Sequence, residues 1–123
     1  MIGVVLRTAG ICGGRVYSSI PKDPTYPLAT VIRIGGIPAE KHWLDTASLQ
    51  IEVWGNNKAE ARDAADAARI AIHTAEGTTL PAQGGFISGV QDSLGLTFIP
   101  DPTTLRDRYL FGVVVTAHTT LVT

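Results

Sequence analysis

The chain has 123 residues, 45% of them hydrophobic and 17% charged, with 10 Lys plus Arg against 11 Asp plus Glu. That length suits one domain, 1–123, able to bury about two thirds of its unfolded surface and to stand without disulfides or metal. The apolar content excludes a disordered chain, and a net charge of −1 excludes the cation-rich surface with which nucleic-acid binders grip phosphate backbones.

At the start of the chain, Ile2, Val5, Leu6 and Ala9 fall at i, i+3, i+4 and i+7, which predicts a short amphipathic helix ended by Gly10 or by Gly13-Gly14. Arg7 lies among these apolar residues and no basic region precedes them, unlike a secretory leader. No apolar run approaches the roughly 20 residues that span a bilayer, so a soluble protein, intracellular when made, is expected. Cys12 is the lone cysteine; it has no partner for a disulfide or a CxxC site, which fits a reducing compartment.

Residues 15–20 read as a short strand, and Pro21, Pro24 and Pro27 then stiffen a loop that lacks a PxxP helix of useful length for a recognition domain. Residues 28–34 form a second, β-branched strand, stopped by Gly35-Gly36, and 37–46 form a loop carrying Glu40, Lys41, His42, Trp43 and Asp45. In the next strand Leu49, Ile51 and Val53 share one face while Ser48, Gln50 and Glu52 share the other, the alternation of a sheet covered on one side. A helix follows at once. Its stripe of Ala61, Ala65, Ala68, Ile72 and Ala75 is made of mostly small residues that allow close approach to a sheet, and Asn57 with Glu60 resembles a capping box. Arg62 with Asp66 and Asp66 with Arg69 sit at helical neighbour spacings on the outer face.

After a loop at 77–85, Val90, Leu94, Leu96 and Phe98 alternate as a half-buried strand in which Asp92 sits on the wrong side. A polar turn at 100–107 leads to a long strand, 108–120, with Tyr109, Phe111, Val113, Val115 and Ala117 on one face, and the last two strands form an antiparallel hairpin. The expected fold is α+β: a mainly antiparallel sheet of four to five strands, a long helix on one face and a short N-terminal helix.

Chemistry-bearing patterns are scarce. His42, His73 and His118 fall on a loop, a helix and a strand without HExxH or cysteine companions, so no metal is expected. The serines lack a GxSxG setting, the glycine pairs Gly13-Gly14, Gly35-Gly36 and Gly84-Gly85 belong to no phosphate-binding motif, and no cofactor or catalytic residue is assigned. Glu40, Asp45, Asp101 and Asp107 read as solvated loop charges. Trp54 points by parity away from the covered face and Trp43 lies in a charged loop, positions that suit either a satellite cluster or an interface anchor.

The order Gly14-Arg15-Val16-Tyr17, Tyr26-Pro27-Leu28-Ala29-Thr30-Val31, Arg33-Ile34-Gly35-Gly36, Leu44-Asp45, Gln50-Ile51-Glu52-Val53-Trp54-Gly55, the alanine helix 61–71 and Arg106-Asp107-Arg108-Tyr109 resembles the tail terminator, or tail completion, proteins of long-tailed bacteriophages. The resemblance covers nearly the whole chain and lies in order and spacing. It implies a non-enzymatic structural virion protein at the tail–neck junction, assembled in the host cytoplasm. There a ring, expected to hold six copies, caps the tail tube, stops its polymerisation and offers a docking surface to the head–tail connector. Implied partners are sibling copies, the major tail tube protein and the connector; DNA passes through the ring without sequence-specific binding, and no membrane is involved. Subunit contacts are expected from the loop 37–46 and the turn 100–108, with Trp43 as an apolar anchor and Arg106 and Arg108 as charged partners for a neighbouring subunit. Two rivals are another neck or tail-tube subunit, and a small oligomeric enzyme built around His42, Asp45 and Cys12.

Overall fold

Period-two alternation in the strands and period-3.6 spacing in the helix set up two layers, and both form as expected. The computed structural model describes residues 2–37, 44–80 and 85–119. Along the chain run helix α1 (Ile2–Thr8), a 3-10 turn (Ile11–Gly14), β1 (Val16–Tyr17), β2 (Leu28–Ile37), β3 (Leu44–Trp54), helix α2 (Lys58–Thr74), β4 (Thr79–Leu80), β5 (Gly85–Phe98) and β6 (Arg108–Thr119). The sheet order is β1-β2-β3-β6-β5-β4. Four long antiparallel strands carry it, with a two-residue strand at each side, and β1 pairs parallel to β2. Among the described residues no helix is long and apolar enough to cross a membrane.

Helix α2 lies on the face formed by Leu49, Ile51 and Val53 of β3 and by Phe111, Val113 and Val115 of β6. Its inward stripe of Ala61, Ala65, Ala68 and Ile72 is fully buried; Ile72 alone contributes about 1.5–3 kcal/mol by leaving water. Asn57 caps the helix by accepting the Glu60 N–H at 2.8 Å, and Glu60 Oε1 accepts the Asn56 N–H at 3.0 Å. That satisfies helix-start donors which have no partner within the helix. Gly55 permits the tight turn from β3: a Cβ there would lie 2.6 Å from the Ala61 backbone nitrogen.

Several boundaries differ from the sequence reading. The strand expected at 15–20 shrinks to Val16–Tyr17. Gly35-Gly36 does not stop β2, which continues to Ile37 opposite β3; the register shift between Arg33 and Gly35 leaves Ile34 as the extra residue of a bulge. Of the loop expected at 37–46, Ile37 belongs to β2 and 44–46 to β3, while 38–43 lie outside the described residues. Gly85 opens β5 instead of closing a turn.

Arg69, at helical neighbour spacing from Asp66 and within its electrostatic reach, makes its ion pair across the layers. Asp92, on β5 opposite Val113, faces α2 and binds both Arg69 and His73, with His73 Nε2 2.8 Å from its carboxylate. Its position out of step with the apolar alternation is therefore a bond between the two layers. Hydrogen bonds from Arg69, then from His73, hold its carboxyl below the usual carboxylate range.

Candidate functional site

Two surface features at opposite ends of the central strands stand out. The first is the turn between β5 and β6, whose Asp-Pro-Thr-Thr sequence places an acceptor two and three residues ahead of free backbone donors. Asp101 Oδ1 accepts from the Thr103 N–H at 2.8 Å and the Thr104 N–H at 3.3 Å, while Oδ2 accepts from the Trp54 indole N–H at 2.9 Å. The backbone closes the same turn, with Leu105 N–H donating to Asp101 O at 2.8 Å and Asp101 N–H to Arg106 O at 3.0 Å. Asp101 is buried, and these donors, the Thr103 amide first and the indole next, hold its carboxyl low. The expectation of a solvated loop charge fails here because the carboxylate faces inward onto three donors.

The turn lies over the end of the sheet face opposite α2. Trp54 and Leu28, paired across β3 and β2, are buried there. Arg106 lies with its guanidinium 3.8 Å above the Tyr26 ring centroid, a cation–π contact. Arg108 sits 5.8 Å from the Trp54 ring centroid, donates through Nε to Ile99 O at 2.9 Å and reaches Glu52 at 3.5 Å. At the apex Leu105 does the opposite of its neighbours: it is 79% exposed and its backbone is left-handed, with φ 59°. A branched side chain is seldom held that way, and the surrounding hydrogen bonds over-determine it.

The second feature is a groove of about 400 Å³ on the α2 side of the sheet, beyond the reach of that helix. Its floor includes Val31, Ala47 and Val115, α1 supplies Ile2 and Val4, and Arg33 stands at its side. Arg7 fixes α1 to the sheet by donating Nε and Nη2 to Val16 O at 3.0 and 2.8 Å. Arg33 and Asp45 form a bidentate pair at 2.9 and 3.0 Å, with side chains 50% and 44% exposed. Asp45 holds the Arg33 guanidinium above its ordinary range.

The structure brings Arg106 and Arg108 together at one turn, both held over aromatic rings, whereas Trp43 lies outside the described residues. Of the three residues of the enzyme constellation, two are described. His42 lies outside the described residues, Asp45 is engaged with Arg33, and Cys12 is buried in the core, where desolvation pushes its thiol up to about 11. A thiol so protonated is a poor nucleophile. Among the described residues no group of three or more His, Cys, Asp or Glu is placed to hold a metal ion. Sequence reasoning missed Asp101 and Leu105; the Asx-turn spacing is the signal for the first, and a lone leucine inside a polar turn is the signal for the second.

Residues 6–116 match the profile of the family described as "Tail completion protein gp17". In three dimensions the chain is similar to the "Structure of bacteriophage SPP1 gp17 protein", at 19% sequence identity and a TM-score of 0.52, over 81% of this chain and 71% of that one. That likeness concerns the fold alone. No curated protein sequence matches the chain.

Proposed function

This chain belongs to the tail completion protein gp17 family, a structural family of phage tail assembly, and we propose that its task there is to close into a ring on the end of the tail tube. In this reading the ring, of six copies, ends addition of the major tail tube protein, presents its other face to the head–tail connector at the tail–neck junction of the virion, and leaves a central passage for DNA. The work is done by shape and self-association, without bond chemistry.

The observation that supports self-association is where the chain leaves apolar surface in water. Of the eight exposed large hydrophobic side chains among the described residues, Ile32 and Ile34 lie on β2 and Phe86 and Leu94 on β5, the outermost long strands. β1 covers only Ala29 and Thr30 of β2, so the rest of the outer edge of that strand, the side away from β3, has no strand neighbour among the described residues. Apolar side chains beside a free edge favour pairing with another chain, and heterologous contacts that close into a ring use up such surfaces without endless growth.

Native mass spectrometry over a range of concentrations, with and without tube ends, tests this. A single closed species of fixed copy number is expected. Filaments that lengthen with concentration would place the chain among the tube-forming subunits, and a compact dimer would end the ring reading.

A further inference from the structure

The turn at 101–107 spends a buried carboxylate, a buried indole and a left-handed leucine on one result: a rigid apolar side chain projecting into water. A lone exposed leucine needs no explanation, but one held out by a closed network of five hydrogen bonds is pre-organised for contact. At the far end of the same strands lies an apolar groove that α2 does not reach. Trp54, beneath the turn, and Asp45, at the groove, are nine positions apart on β3, or roughly 30 Å of extended chain. The two features cannot meet within one molecule.

We infer that Leu105 of one copy seats in the groove between α1 and the sheet of the next copy, making the head-to-tail contact of the ring. This rests on the ring proposed above and names the surfaces that would form it. The charges beside each feature are complementary. Asp107, which makes no ion pair among the described residues, and Arg106 flank Leu105; Arg33 and Asp45, both half exposed, stand at the groove. Swapping partners across the contact pairs Asp107 with Arg33 and Arg106 with Asp45. Because knob and groove are different patches of one surface, the contact is heterologous, the kind that generates rings when its rotation closes. A second copy is thus favoured over an unrelated partner, since a single chain carries both halves.

Disulfide trapping tests the contact. Chains carrying Leu105→Cys and chains carrying Ala47→Cys, the latter on the groove floor, are mixed under mild oxidation; bridging requires Cα atoms within about 7 Å. The expected product is a covalent heterodimer that neither variant forms alone. The doubly substituted chain should give a ladder ending at the copy number of the ring. Leu105→Asp, at an exposed position that leaves folding intact, should weaken self-association at least tenfold by the same mass-spectrometric assay. If the unsubstituted chain forms rings but the mixture does not cross-link, the contact is wrong while the ring stands. If Leu105→Asp forms normal rings that no longer attach to tubes, Leu105 faces the tube protein and the inference is overturned. If no ring forms with or without tube ends and no cross-link appears, both fall together.

Discussion

The indole N–H of Trp54, at the end of β3, donates to a carboxylate oxygen of Asp101 at 2.9 Å, and both residues are buried. This bond ties the apex turn to the middle of the sheet. It turns a polar connection into a fixed platform, and the remaining oxygen of Asp101 orders the Thr103 and Thr104 amides. Replacing Asp101 with Ala leaves the indole donor buried without a partner, so a loss of about 2–3 kcal/mol is expected in urea unfolding. Asp101→Asn, which keeps one acceptor, should lose less.

The same bond sets an acid limit. The folded-state carboxyls of Asp101 and Asp92 are both held below their ordinary range, by amide and indole donors in the first case and by Arg69 and His73 in the second. A depressed carboxylate adds stability above its unfolded pKa of about 3.9 and loses it as pH falls through the folded value. Unfolding measurements from pH 6 downward should therefore show stability declining below about pH 4, and the decline should be shallower in Asp101→Asn.

Leu105 offers a prediction of opposite sign. Its φ of 59° suits glycine better than a branched side chain. Leu105→Gly should stabilise the isolated subunit by on the order of 0.5–1 kcal/mol. Association should weaken in the same variant, because the apolar knob is gone. Thermal unfolding and native mass spectrometry on one preparation separate the two effects.

Gly55 and Asp92 make a contrasting pair. A Cβ at position 55 would meet the backbone at the start of α2, with Ala61 N at 2.6 Å and Asn57 O at 2.9 Å, so Gly55→Ala should destabilise by about 1–3 kcal/mol. Asp92→Asn breaks the ion pair to Arg69 and alters the hydrogen bond with His73, whose side chains are about a third exposed, and a loss below about 1 kcal/mol is expected. Equal losses in denaturant titrations of the two variants would contradict this ranking.

These positions also mark what the sequence makes legible. The alanine stripe of α2 and the alternation in β3 and β6 follow local periods, so the layers and the covered face can be read directly from residues such as Ile51, Ala65 and Phe111. Asp92 was visible as an anomaly, yet its partners Arg69 and His73 required the placement of α2 across β5. Gly35-Gly36 misled because a glycine pair serves a strand bulge as readily as a turn. Asp101 resembled other acidic loop residues, since its burial depends on Trp54, 47 positions earlier. The groove was illegible for the same reason: α1, β2, β3 and β6 meet there only through long-range register.

The central claim, that this protein ends tail tubes by capping them, is tested most directly by polymerising purified major tail tube protein with increasing amounts of the chain and measuring tube lengths by electron microscopy. The account predicts shorter tubes, each bearing a ring at one end, and little shortening with Leu105→Asp. An unchanged length distribution at saturating amounts of the folded chain would contradict it.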